Sequence, residues 1–142
     1  MATQYTGGLV TGQVLTAATM NSIGATWETW TPTLSPQIGA YTTATVDTAR
    51  YGRIGKLVYC QIVFTITSIG TGAGNAFFTL PITGTTPTFL AMGSYREIGT
   101  TGLTGIISQE STTQGAMRRY DNAGSLTGSG NKFAGSFFYE AA

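Results

Sequence analysis

The chain has 142 residues, a net charge of +1, one cysteine and no histidine. That length suits one domain with a sizeable core. A single cysteine excludes an intrachain disulfide, and the lack of histidine removes the usual general base near neutral pH and the commonest metal ligand.

Charged residues make up only 9% of the chain, against roughly 25% in ordinary soluble domains. A surface of Thr, Ser and Gly without scattered lysines is poorly protected against association, which points to sides covered by neighbouring molecules. The seven basic residues are spread thinly apart from the pair Arg118-Arg119. Neither a nucleic-acid stripe nor a polybasic membrane patch is expected.

In chain order, residues 1–12 carry Tyr5, Leu9 and Val10 and read equally as an extended arm or a loose tail. They lack a basic region followed by an apolar run, and no stretch is long enough for a membrane span. Leu15 and a short helix follow, with Thr16 as its cap, Ala17, Met20 and Ile23 at a spacing of three, and Gly24 as its stop. Under three turns long, such a helix needs a surface to dock on. This N-terminal arm and docking helix, residues 1–26, precedes a β domain over residues 27–142.

The β domain opens with a strand over 29–34, then one over 44–51. The clearest covers 56–69: Val58, Cys60, Ile62, Phe64 and Ile66 face one way, and Tyr59, Gln61, Thr65 and Thr67 the other. A Gly-rich turn at 68–75 and a strand over 76–80, stopped by Pro81, complete an expected hairpin. Further strands are expected at 88–95, 105–109, 116–120 and 132–139, the last with Phe133, Phe137 and Tyr139 sharing a face. About eight strands without an interleaved helical period predict an all-β fold, an antiparallel β-sandwich or jelly roll.

Chemistry-bearing signals are sparse. Cys60 reads as a small buried hydrophobe, and the acids Glu28, Asp47, Glu97, Glu110, Asp121 and Glu140 stand singly. Asp47 and Arg50 fall on opposite faces of their strand, so no local ion pair is expected. The Gly-rich stretches 70–74 and 99–105 open no helix and lack a following Lys-Ser/Thr, so they read as loops, not phosphate cradles. No catalytic residue, cofactor or metal ligand is expected. Trp27, Trp30 and Tyr41 are expected to pack on the core or on a partner subunit, with a carbohydrate-stacking platform as the alternative.

The run Gly12-Gln13-Val14-Leu15-Thr16-Ala17-Ala18-Thr19-Met20-Asn21 resembles a segment near the start of tail-fibre, tail-spike and other appendage proteins of bacteriophages. Trp27-Glu28-Thr29-Trp30-Thr31-Pro32-Thr33-Leu34 resembles the opening of a β domain in phage minor tail and head-decoration proteins. Arg50-Tyr51-Gly52-Arg53-Ile54-Gly55-Lys56-Leu57-Val58 is similar to its entry into the central strand, and Leu80-Pro81 stands where an LP pair recurs. The resemblance covers about residues 12–81. It implies a homotrimeric β-sandwich on the outer surface of a virion, fixed through its N-terminal segment; the chain departs from long fibres in running from that segment almost directly into the β domain.

On that resemblance the expected function is capsid decoration, binding the major capsid protein of the assembled head; the alternative is a tail-tip or tail-fibre protein recognising host glycans. The expected virion anchor comprises Tyr5, Leu9, Val10, Leu15, Met20 and Ile23. Trp27, Trp30, Tyr41, Arg50 and Arg53 are the expected oligomer interface.

Overall fold

The computed structural model describes residues 16–17, 26–87, 91–121 and 126–142. Nine antiparallel strands are present among them: β1 (Glu28–Thr29), β2 (Leu34–Ile38), β3 (Thr43–Ile54), β4 (Leu57–Ser68), β5 (Ala73–Thr79), β6 (Ala91–Glu97), β7 (Thr104–Gln109), β8 (Gln114–Arg119) and β9 (Lys132–Glu140). They form one continuous sheet in the order β1-β3-β4-β9-β6-β7-β8-β5-β2.

Laid flat, nine strands would span about 38 Å. Yet β1 and β2, at opposite ends of that order, are joined by residues 30–33 alone, so that Thr29 and Leu34 can lie at most about 18 Å apart. The sheet must therefore curl. The short link is bonded to both ends: Trp30 N donates to Ala49 O at 3.2 Å, while Thr79 N donates to Thr33 O at 3.1 Å. The Phe78 and Phe137 rings, from strands four places apart in the sheet, lie 5.2 Å apart across the interior.

The core is the inner face of this curled wall. The alternation in β4 appears as read: Val58, Cys60, Ile62, Phe64 and Ile66 are all 0% exposed. Phe133, Phe137 and Tyr139 line the same interior from β9, and Ile107 and Met117 from β7 and β8. Between β3 and β4 the two-residue turn Gly55-Lys56 keeps the pairing Ile54 to Leu57, with Gly55 at φ +58°, which a two-residue hairpin turn demands of its first position.

Two local expectations are corrected. Of the strand foreseen over 29–34, Thr29 ends β1 and Leu34 opens β2, while residues 30–33 form the link, in which Pro32 lacks an N–H. The hairpin foreseen from 56–69 to 76–80 does not form: both edges of β4 are taken by β3 and β9, and β5 pairs with β8 and β2. The intervening glycine loop carries the chain across the end of the wall, held by Gly72 N to Ile69 O at 2.9 Å and Ala40 N to the Thr71 hydroxyl at 3.2 Å. Of the expected docking helix, only Thr16 and Ala17 fall among the described residues.

Candidate interaction surface

Because side chains alternate across a strand, an unbroken apolar run puts a hydrophobe on the outer face. That happens twice. Leu57 and Tyr59 interleave with the buried residues of β4, and Phe138 sits between Phe137 and Tyr139 in β9. Register then brings them together: Ile54 is opposite Leu57, and Tyr59 opposite Phe138. Trp27 packs on Tyr59 with ring centroids 5.5 Å apart, and the Arg50 guanidinium lies 4.5 Å over the Trp27 ring.

Trp27, Ile54, Leu57, Tyr59 and Phe138 thus make one exposed apolar patch on β3, β4 and β9, with Phe138 57% and Trp27 46% exposed. Scattered exposed hydrophobes need no explanation, but a contiguous group marks an interaction surface. The patch continues into a pocket of about 340 Å³ lined by Lys56, Leu57, Thr85, Met92, Gln109, Phe138, Tyr139 and Glu140. Lys56 Nζ and a Glu140 carboxylate oxygen, 3.7 Å apart, stand at its rim.

The expected interface residues divide. Trp27 and Arg50 belong to the patch, and Arg50 Nε also donates to Gln61 Oε1 at 2.7 Å. Arg53 Nε instead donates to Gly55 O at 2.6 Å and braces the β3–β4 turn. Trp30 and Tyr41 pack half-buried against the core, with Trp30 Nε1 donating to Thr79 O at 3.2 Å. The expected anchor residues Tyr5, Leu9, Val10, Leu15, Met20 and Ile23 lie outside the described residues. Ile54, Leu57, Tyr59 and Phe138 were not foreseen as surface contacts; their signal was an apolar residue at an outward-facing position of a well-patterned strand.

Every acid is engaged. Glu28 accepts from the Tyr51 hydroxyl at 2.7 Å; burial and that carboxylate push the phenol up to about 12. Asp47 pairs with Lys132 at 3.2 Å and accepts from the Thr65 hydroxyl at 2.8 Å, leaving Arg50 to the patch. Glu110 pairs with Arg118, and Asp121 with Arg119 at 2.8 Å, so the basic pair on β8 is neutralised locally.

Glu97 is the exception in being fully buried. It accepts backbone N–H bonds from Gly99 (2.6 Å), Thr100 (3.0 Å), Thr101, Gly102 (3.1 Å) and Lys132 (2.9 Å), and the Thr101 hydroxyl at 2.7 Å. Burial alone would raise this carboxyl, but the donors outweigh it and hold it at about 2, below its usual 4.5. The Gly-rich loop is therefore wrapped around the protein's own anion. A side chain at Gly99 would strike Glu97 Oε1, since a Cβ there would lie 2.8 Å away.

Burial pushes the Cys60 thiol up, out of the range of a reactive thiolate. Among the described residues, no group of three or more Cys, Asp or Glu side chains could hold a metal ion. Comparison with known family models, curated proteins and solved structures returned no match.

Proposed function

We propose that this chain is a non-enzymatic structural protein of a bacteriophage particle, a homo-oligomer that decorates the assembled head and acts by adhesion. The observation that carries the reading is the patch of Trp27, Ile54, Leu57, Tyr59 and Phe138, which gives a sparsely charged protein a surface to be covered. The order of the three motifs between residues 12 and 58 and the Leu80-Pro81 pair support the virion setting. Engagement of every acid in structural contacts supports adhesion over turnover.

In this reading the patch joins copies into a trimer and the segment before Trp27 grips the major capsid protein. Threefold display then turns a weak contact into stable attachment through effective concentration. The test is cosedimentation with capsids lacking the protein. Full-length chain should pellet with them, and a chain without residues 1–24 should stay in the supernatant while remaining folded. Equal pelleting of the truncated chain would refute the attachment scheme.

One observation favours a second reading, a tail-tip protein that binds host glycans. A trough of about 700 Å³ on the outer face, lined by Gln61, Ser94, Arg96, Ile106, Tyr120 and Ser136 among others, contains no acid. Arg96 is the one basic side chain with no ion-pair or hydrogen-bond partner among the described residues. Copy number separates the readings: hundreds per particle support the head, and a dozen or fewer support the tail.

A further inference from the structure

Resting on the assembly reading above, we propose that the pocket beside Phe138 is a socket for an aromatic ring bearing a hydrogen-bond donor, and that Trp27 of a second copy fills it. The pocket walls are apolar, from Leu57, Met92, Phe138 and Tyr139, and its volume of about 340 Å³ admits one bicyclic ring.

Besides the Lys56–Glu140 pair and Thr85, its polar lining is Gln109. That side chain is only 7% exposed, and its Nε2 is committed, donating to Thr85 O at 2.8 Å. Its Oε1 has no hydrogen-bond partner among the described residues. Among the described residues the fully enclosed side-chain atoms left without partners are the Tyr41 and Tyr95 hydroxyls, so the oxygen of Gln109, a pocket-lining residue, keeps some exposure. An amide oxygen held among apolar walls calls for a donor, and the walls call for a ring.

The chain carries a matching group on the same surface. Trp27, Tyr59 and Phe138 form a row across β4 and β9, and Phe138 is itself a pocket wall. Trp27 is 46% exposed, and its indole N–H has no partner among the described residues, whereas that of Trp30 is bonded to Thr79 O. Arg50 and Tyr59 flank the Trp27 ring without covering it. Ring and socket at opposite ends of one row make a heterologous contact, the type that closes into a ring of copies such as a trimer. Tryptophan in a desolvated pocket is also a common energetic centre of interfaces.

The experiment uses the full chain and its Trp27→Ala variant. Sedimentation should find wild type associated, Trp27→Ala monomeric, and Trp27→Phe, which keeps a ring but loses the donor, weakened by about tenfold or more. In Trp27→Ala, where the socket is empty, indole should shift the NMR signals of Leu57 and Met92 saturably. 1-Methylindole, which lacks the donor, should bind about tenfold more weakly, and Gln109→Leu should erase that preference.

Equal binding of the two indoles, or shifts elsewhere on the surface, would overturn the socket. Selective indole binding with unchanged association of Trp27→Ala would overturn Trp27 as the occupant. A monomeric wild type would sink the assembly reading itself, and with it the second copy, while the indole preference would still report the socket. Should Gln109→Leu fail to fold, the comparison of Trp27→Phe with wild type tests the same hydrogen bond from the other side.

Discussion

Where β6 turns into β7, five backbone N–H groups and a hydroxyl converge on Glu97 and are spent on it. On the outer face of β3, β4 and β9, by contrast, Trp27, Ile54, Leu57, Tyr59 and Phe138 stand open to solvent. The first region is chemically closed and the second is not. In a chain with so few charges, ionic groups at the loop hold the fold together, and exposed apolar surface on the sheet remains free to bind. Residues at the loop should therefore govern stability, and those on the patch should govern association.

The largest expected effect breaks the closed region. Glu97→Ala would strand its buried amide donors without an acceptor and should destabilise the fold by about 3 to 5 kcal/mol, read from urea unfolding. Loss of less than about 1 kcal/mol would mean that water or loop rearrangement replaces the carboxylate.

A somewhat smaller effect comes from acid. Because Glu97 is held at about 2 in the folded chain instead of 4.5, its ionised form contributes about 3 kcal/mol. A lowered folded value means that this stability is fully present above pH 4.5 and is lost progressively as pH falls through about 2. Urea midpoints between pH 6 and 2 should drop for wild type, and Glu97→Gln should flatten that part of the profile. Parallel profiles would contradict the assignment to this carboxylate.

The smallest effect should be Lys56→Ala at the pocket rim. Its pair with Glu140 is solvent-exposed on both sides, so thermal unfolding should register no more than about 1 kcal/mol.

Much of the fold was legible in the sequence because β4 and β9 advertise their inner faces by strict alternation, and glycines mark the turns. Pairing was less legible. Residues 68–75 look like a hairpin turn, and nothing local reveals that β9 already occupies the edge of β4, since that contact joins residues more than 65 apart. The curl was hidden likewise, emerging only because a four-residue link must connect opposite ends of the sheet. Of the surface, Trp27 and Arg50 could be singled out as an aromatic and a cation near a motif. Phe138 could not, because in a run of Phe137, Phe138 and Tyr139 the outward residue is fixed only once register is known. Glu97 looked like any isolated acid, for its donors come from a loop and from β9.

On the proposed reading, the outer patch holds copies together and contributes little to the fold. Sedimentation velocity over a wide concentration range, on wild type and Phe138→Ser, tests it most directly. The account predicts a discrete oligomer for wild type and a folded monomer, or association weakened by about tenfold or more, for the variant. An unchanged sedimentation profile for Phe138→Ser, or a wild type that stays monomeric throughout, would contradict it.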